Sequence, residues 1–98
     1  MLTSKQKRYL KSEAMTMHAL YQIGKEGLGT HFFEMIDKAL DANELLKIRV
    51  LNTVSTPIRE IALDLSAKLN AEIVQIVGKV ITLYRDSKHH IYAEGLKK

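Results

Sequence analysis

"LLKIRVLNTVSTPIREIALDLSAKLN", Leu45–Asn70, changes its period half-way along, and that change decides the fold class. Over residues 45–51 the alternation is two-fold. Leu46, Ile48 and Val50 point one way, while Lys47 and Arg49 point the other with Leu45 and Leu51. This is a strand with one apolar face and two cations on the opposite face. Beyond Pro57 the spacing becomes helical, with Ile58, Ile61, Ala62, Leu65 and Leu69 on one stripe. Thr56 is the expected N-cap and Pro57 the first helical residue, where its absent N–H is not missed. Asn70 suits a left-handed terminator.

The same reading extends in both directions. Ile73–Val77 and Val80–Tyr84 are β-rich runs parted only by Gly78-Lys79, a pair that fits a type II′ hairpin because glycine accepts a positive φ. Upstream, Phe32, Phe33, Ile36, Ala39 and Leu40 recur at helical spacing behind Thr30, a candidate cap. Ala19 to Ile23 is short, apolar and closed by Gly24, which favours a buried strand. Residues 3 to about 15 read as a first helix, capped by Thr3 or Ser4, with Gln6, Leu10, Ala14 and Met17 on one stripe. The order α-β-α-β-α-β-β predicts a single α/β (α+β) domain, a four-stranded mixed sheet with packed helices. "DSKHHIYAEGLKK" has no sustained period, so residues 1–85 are expected to form the domain and residues 86–98 a loosely ordered polar tail.

With 98 residues there is chain for one core and little more. The chain has no cysteine, which excludes disulfides, thiolate nucleophiles and thiolate metal sites. No run of about 18 apolar residues is present to span a membrane, and the basic N-terminus lacks the apolar core of a signal peptide. A cytoplasmic location, no membrane partner and a monomer are the resulting expectations. The formal net charge of +4 is compatible with an anionic partner, so the placement of the cations matters more than their number.

"YQIGKEGLG", Tyr21–Gly29, poses the functional question, because Gly24, Lys25, Glu26 and Gly27 fall where a strand ends and a helix begins. A Walker A loop needs four residues between its glycines and a closing Gly-Lys-Ser/Thr, both missing here. The dinucleotide fingerprint has the reverse glycine spacing. Two readings remain. Glycine is the default turn residue. Alternatively, G-x-x-G ahead of a helix brings backbone N–H groups to a nucleic-acid phosphate, with Lys25 adding charge and Glu26 partly offsetting it. Lys7, Arg8 and Lys11 on the first helix, Lys47 and Arg49 on the strand, Lys79 in the hairpin and Arg85 at the last strand end could share one surface with that loop. Tyr84 is the aromatic candidate for stacking beside them.

Several segments in register resemble a known family. "LTSKQKRYLKSEA", "YQIGKEGL", "IDKALDANELLKIRV" and "VQIVGKVITLYR" are similar to the CRM domain, and in particular to small bacterial proteins of the YhbY type, from about Leu2 to Arg85. Asn43 stands where many members have histidine, and Ala19 where proline is frequent. The resemblance implies a fold similar to the C-terminal domain of translation initiation factor three. It also implies RNA binding, with the family's G-x-x-G loop falling on Gly24, Lys25, Glu26 and Gly27. Stand-alone members are associated with precursors of the large ribosomal subunit, so the implied partner is that RNA, with ribosomal proteins as a second possibility. The rival expectation is a protein-interaction module that docks through a strand edge or the tail.

No catalytic set emerges. His89-His90 are consecutive and share no face, His18 and His31 are isolated, and Ser55 lacks histidine and acid partners. No enzyme, metal or cofactor is expected.

Overall fold

Residues 2–25 and 27–97 are described by a computed structural model. The chain runs through α1 (Ser4–Ala14), β1 (Tyr21–Ile23), α2 (Thr30–Asn43), β2 (Leu45–Val50), α3 (Ile58–Leu69), β3 (Glu72–Val77), β4 (Val80–Tyr84) and α4 (Ala93–Lys97). The expected order is present, with α4 added. The strands form one mixed sheet in the order β1-β2-β4-β3. β1 and β2 are parallel, and α2 supplies the crossover that such a pair requires. α3 connects β2 to β3, which lies one strand away. The hairpin then returns β4 antiparallel into the gap between them. Gly78 has φ +58°, whereas Lys79 is absent from the residues with positive φ, as a II′ turn requires.

The two sheet faces have different fates. Leu46, Ile48, Ile81 and Leu83 are buried under Ile36 and Leu40 of α2 and Ile61 and Leu65 of α3. Each such side chain removed from water contributes about 1.5–3 kcal/mol, so this layer holds most of the stability. The opposite face, which carries Lys47 and Arg49, is covered at one end by α1. Leu10 and Ala14 pack there against Leu45, Val74 and Tyr84. Val74 joins this second cluster, and a bulge between Ile73 and Gln75 keeps Gln75 on the same face opposite Thr82.

Helix ends follow local chemistry, with two departures from the sequence reading. Thr3 and Gln6 form a reciprocal capping box at the start of α1, and Asn70 ends α3 in the left-handed region at φ 53°. α2, however, is capped by Gly29, and Thr30 is already helical. At α3 the cap is Pro57 rather than Thr56. Its extended ψ of 139° leaves Pro57 outside the helix, with its carbonyl accepting from Glu60 and Ile61 at 3.0 and 3.2 Å.

The segment after Arg85 is not loose. Glu44, fully buried at the α2–β2 junction, accepts hydrogen bonds from the Ser87 N–H (2.9 Å), the Ser87 hydroxyl (2.6 Å) and the Tyr92 N–H (3.4 Å). Tyr92 then packs edge-on against Tyr9 and Tyr84, and Leu96 joins the cluster beneath α1. A Cβ on Gly95 would run into the Tyr9 ring, so a side chain at residue 95 would force that ring to shift. The expected tail is therefore a strap, and its low periodicity reflects fixation by single contacts rather than by a repeating apolar face. Among the described residues no helix is long and apolar enough to cross a membrane.

Glu44→Ala removes the acceptor for three donors in or near the core. A loss of about 2–4 kcal/mol is expected in urea unfolding. Amide exchange should accelerate in residues 86–97 before the sheet is affected.

Candidate nucleic-acid interface

Sheet topology gathers the cations that sequence left scattered. Because β1 and β2 are parallel, their C-terminal ends lie together. The β3–β4 turn reaches the same end, where the Val50 N–H donates to the Lys79 carbonyl (2.7 Å) and the Leu51 N–H to that of Ile23 (2.9 Å). Lys25, Arg49 and Lys79, all exposed, thus lie at one end of the sheet. Register sets the rest. Gln22 lies beside Arg49, Arg49 beside Val80, and Lys47 beside Thr82, all on the face that α1 leaves uncovered.

The glycine loop is tight. Gly27 donates its N–H to the Gly24 carbonyl at 2.9 Å and has φ +71°, a conformation that disfavours other residues. Gly24 is less demanding, since an added Cβ would meet Leu51 only at ordinary contact distance. Glu26 lies outside the described residues. The loop leads into α2, whose first turn carries no acidic side chain and no side-chain cap. Its backbone bonds begin at Phe33, which donates to Gly29, so the N–H groups ahead of it have no partner within the helix. A shallow depression of about 550 Å³ lies here, lined by Gln22, Lys25, Gly27, Gly29, His31 and Phe32 among others.

A second hollow, a groove of about 540 Å³, runs between the end of α1 and the open sheet face. Lys11 comes from the helix and Lys47 and Arg49 from β2. None of the residues lining it is acidic. The Lys47 ammonium also donates to the Met17 carbonyl at 3.2 Å, which holds the α1–β1 connection against the sheet. Arg8, exposed, and Lys7, half-buried, lie one turn back from Lys11 and extend the basic strip along α1.

Two expected members do not belong to this surface. Arg85, next after Tyr84, turns to the opposite side of the sheet, against α2 and α3. There its guanidinium bonds Asp37 Oδ1 (2.8 Å), the Asp37 carbonyl (2.8 Å), Asp41 Oδ1 (2.9 Å) and the Leu69 carbonyl (2.7 Å). With its side chain only 16% exposed, it ties α2 to the end of α3 instead of facing a phosphate. Tyr84 is 5% exposed beneath α1 and Tyr92, so it has no free ring face for a base. In sequence both residues adjoin a cationic strand end, and only the pleat shows that one faces the helices and the other α1.

Sequence reasoning missed Met15, Met17, Gln75, Val77 and Val80, which line the groove beside the cations. A signal existed for Met15, since its neighbours Ala14 and Met17 fell on the inward stripe while it did not. Nothing local marked Val77 as exposed, because it ends a β-rich run with no polar neighbour pattern of its own.

Residues 2–85 match the model of the CRS1 / YhbY (CRM) domain. The chain belongs to the CRM-domain family. Among its relatives, "Probable RNA-binding protein YqeI" of Bacillus subtilis is 37% identical over 90 residues, spanning 92% of this chain and 94% of the relative. An "RNA-binding protein" of Haemophilus influenzae is 30% identical over 87 residues, spanning 89% of this chain and 88% of its own. The solution structure of SAV1595 from Staphylococcus aureus superposes with a TM-score of 0.76 at 42% identity, over 90% of this chain and 92% of that one. The CRM match takes in the glycine loop, the groove and the cationic strand β2, while α4 lies beyond its last matched residue.

Burial, followed by the nearby Asp86 and Glu44 carboxyl groups, pushes the Tyr84 hydroxyl up to about 12. The neutral phenol is the form that packs. Its contribution to stability is therefore full below the ordinary tyrosine value of about 10 and is lost as pH rises through 12. The urea midpoint should fall across that window, and Tyr84→Phe should flatten the fall; an unchanged profile would assign the fall to other groups.

Proposed function

We propose that this CRM-domain chain binds RNA through the face formed by the glycine loop, the open half of the sheet and the end of α1. One observation supports this above the others. Lys25, Arg49 and Lys79 share one end of the sheet, while Lys11 and Lys47 line the adjoining groove, where no lining residue is acidic. Phosphates spaced along a backbone are the ligand such a strip suits, and relatives bearing RNA-binding names share most of the chain. The first-turn N–H groups of α2 add partial positive charge beside Lys25, which favours the phosphate reading of Gly24–Gly27 over a bare turn. Phosphate contacts position a protein without reading sequence, so selectivity must come from shape or from other contacts. The family resemblance directs the choice of RNA to precursors of the large ribosomal subunit, and the role to assembly, with no catalytic step.

A second reading has its own observation. Exposed Leu20 and Ile91 flank a cleft of about 290 Å³ beside edge strand β1, which suits a protein partner such as a ribosomal protein.

Salt dependence separates the two. With about four phosphates neutralised, RNA affinity should fall roughly fifty-fold between 50 and 200 mM salt. Lys25→Ala, and separately Lys47→Ala with Arg49→Ala, should each weaken binding to precursor large-subunit RNA and reduce the salt slope. Wild-type binding that ignores both changes would leave the loop as a turn. Absence of salt-sensitive RNA binding would favour the protein partner.

A further inference from the structure

The groove beside α1 is more than a track for phosphates. We propose that it takes an unpaired nucleobase, so that the favoured ligand is structured RNA with a bulged or looped-out nucleotide rather than a continuous duplex. The inference rests on the RNA reading above and adds the class of RNA.

Its walls and its charge point to different parts of one ligand. Met15, 76% exposed, and Val77, 62% exposed, line the groove from the end of α1 and the end of β3. Large apolar side chains left this open gain nothing from a row of phosphates, but they suit the face of a base. Lys11, Lys47 and Arg49 line the same groove, with no carboxyl group among the lining residues. An apolar protein segment would leave three cations unmatched there. A nucleotide answers both features, with its base between apolar walls and its phosphate beside the cations. Gln75, on β3 next to Thr82, presents an amide that can both donate to and accept from a base edge.

Size and shape agree. At about 540 Å³ the groove falls within the range of roughly 300–1,000 Å³ typical of small-ligand sites. The Lys47–Met17 bond keeps one wall in place without a ligand. A continuous A-form duplex offers phosphates and hydroxyls on its accessible side and keeps its base faces stacked, so only an unpaired base can enter.

Two RNA hairpins of matched length test this, one fully paired and one with a single bulged 2-aminopurine, titrated with the full chain from 50 to 200 mM salt. The bulged hairpin should bind about ten-fold tighter, with a change in 2-aminopurine fluorescence on binding. Met15→Ser with Val77→Ser, both at exposed positions, should collapse the difference between the hairpins and abolish the fluorescence change. Equal, salt-sensitive binding of both hairpins by the wild type overturns the proposal while RNA binding stands, and leaves the groove to a protein segment. A preference that survives the double substitution also overturns it, by placing the base elsewhere. If neither hairpin nor precursor RNA shows salt-sensitive binding, the RNA reading itself fails and this inference with it.

Discussion

Glu44 is the residue on which the register of the sheet rests. Its N–H closes α2 by donating to Leu40 (2.9 Å), and its carbonyl accepts from Arg85 (2.9 Å), one step past the pairing of Leu45 with Tyr84. Its φ of 65° is unusual for a side chain of this size and costs on the order of 1–3 kcal/mol. That strain is held in place because the carboxyl group is buried against Ser87 and Tyr92. A one-residue slip between β2 and β4 would send Lys47 and Arg49 into the helix-covered core and Ile48 into solvent. The cations reach the open face because this junction forbids the slip.

α1 decides how much of that face remains for a ligand. Were it to lie along the whole sheet, the cations would be buried without partners, which is costly. Instead it covers only the end where Leu45, Val74 and Tyr84 are apolar, and it stops at Ala14. The C-terminal strap packs against this arrangement through Tyr92 and Leu96, and Gln6 donates to the Leu96 carbonyl at 3.4 Å. Stability at one end of the face and exposure at the other follow from the change along β2 from Leu45 to Lys47 and Arg49.

Much of this was legible from local chemistry. The alternation in Leu45–Leu51 and the helical stripe from Ile58 named the class, and Gly78-Lys79 named the hairpin, because each depends on neighbours within a few residues. The capping shift at Pro57 was not legible, since Thr56 and Pro57 both fit a helix start and only the extended ψ separates them. Tyr84 and Arg85 were misplaced together. Adjacent strand residues face opposite ways, and which way is set by pairing partners some 40 residues distant in sequence for each. The strap was missed for a related reason. Its anchors, Ser87 and Tyr92, meet one buried acid rather than a periodic apolar surface.

The sequence by itself determined the first seven elements, their order, the absence of thiol chemistry and the identity of most of the cations. These depend on composition and on spacing along one chain. Tertiary structure alone decided which cations share a surface, that Arg85 joins helices instead, and that Met15 and Val77 stand beside Lys11, Lys47 and Arg49 in one groove. The physical reason is that proximity across a sheet is a property of register and strand order, and neither is written in any single segment.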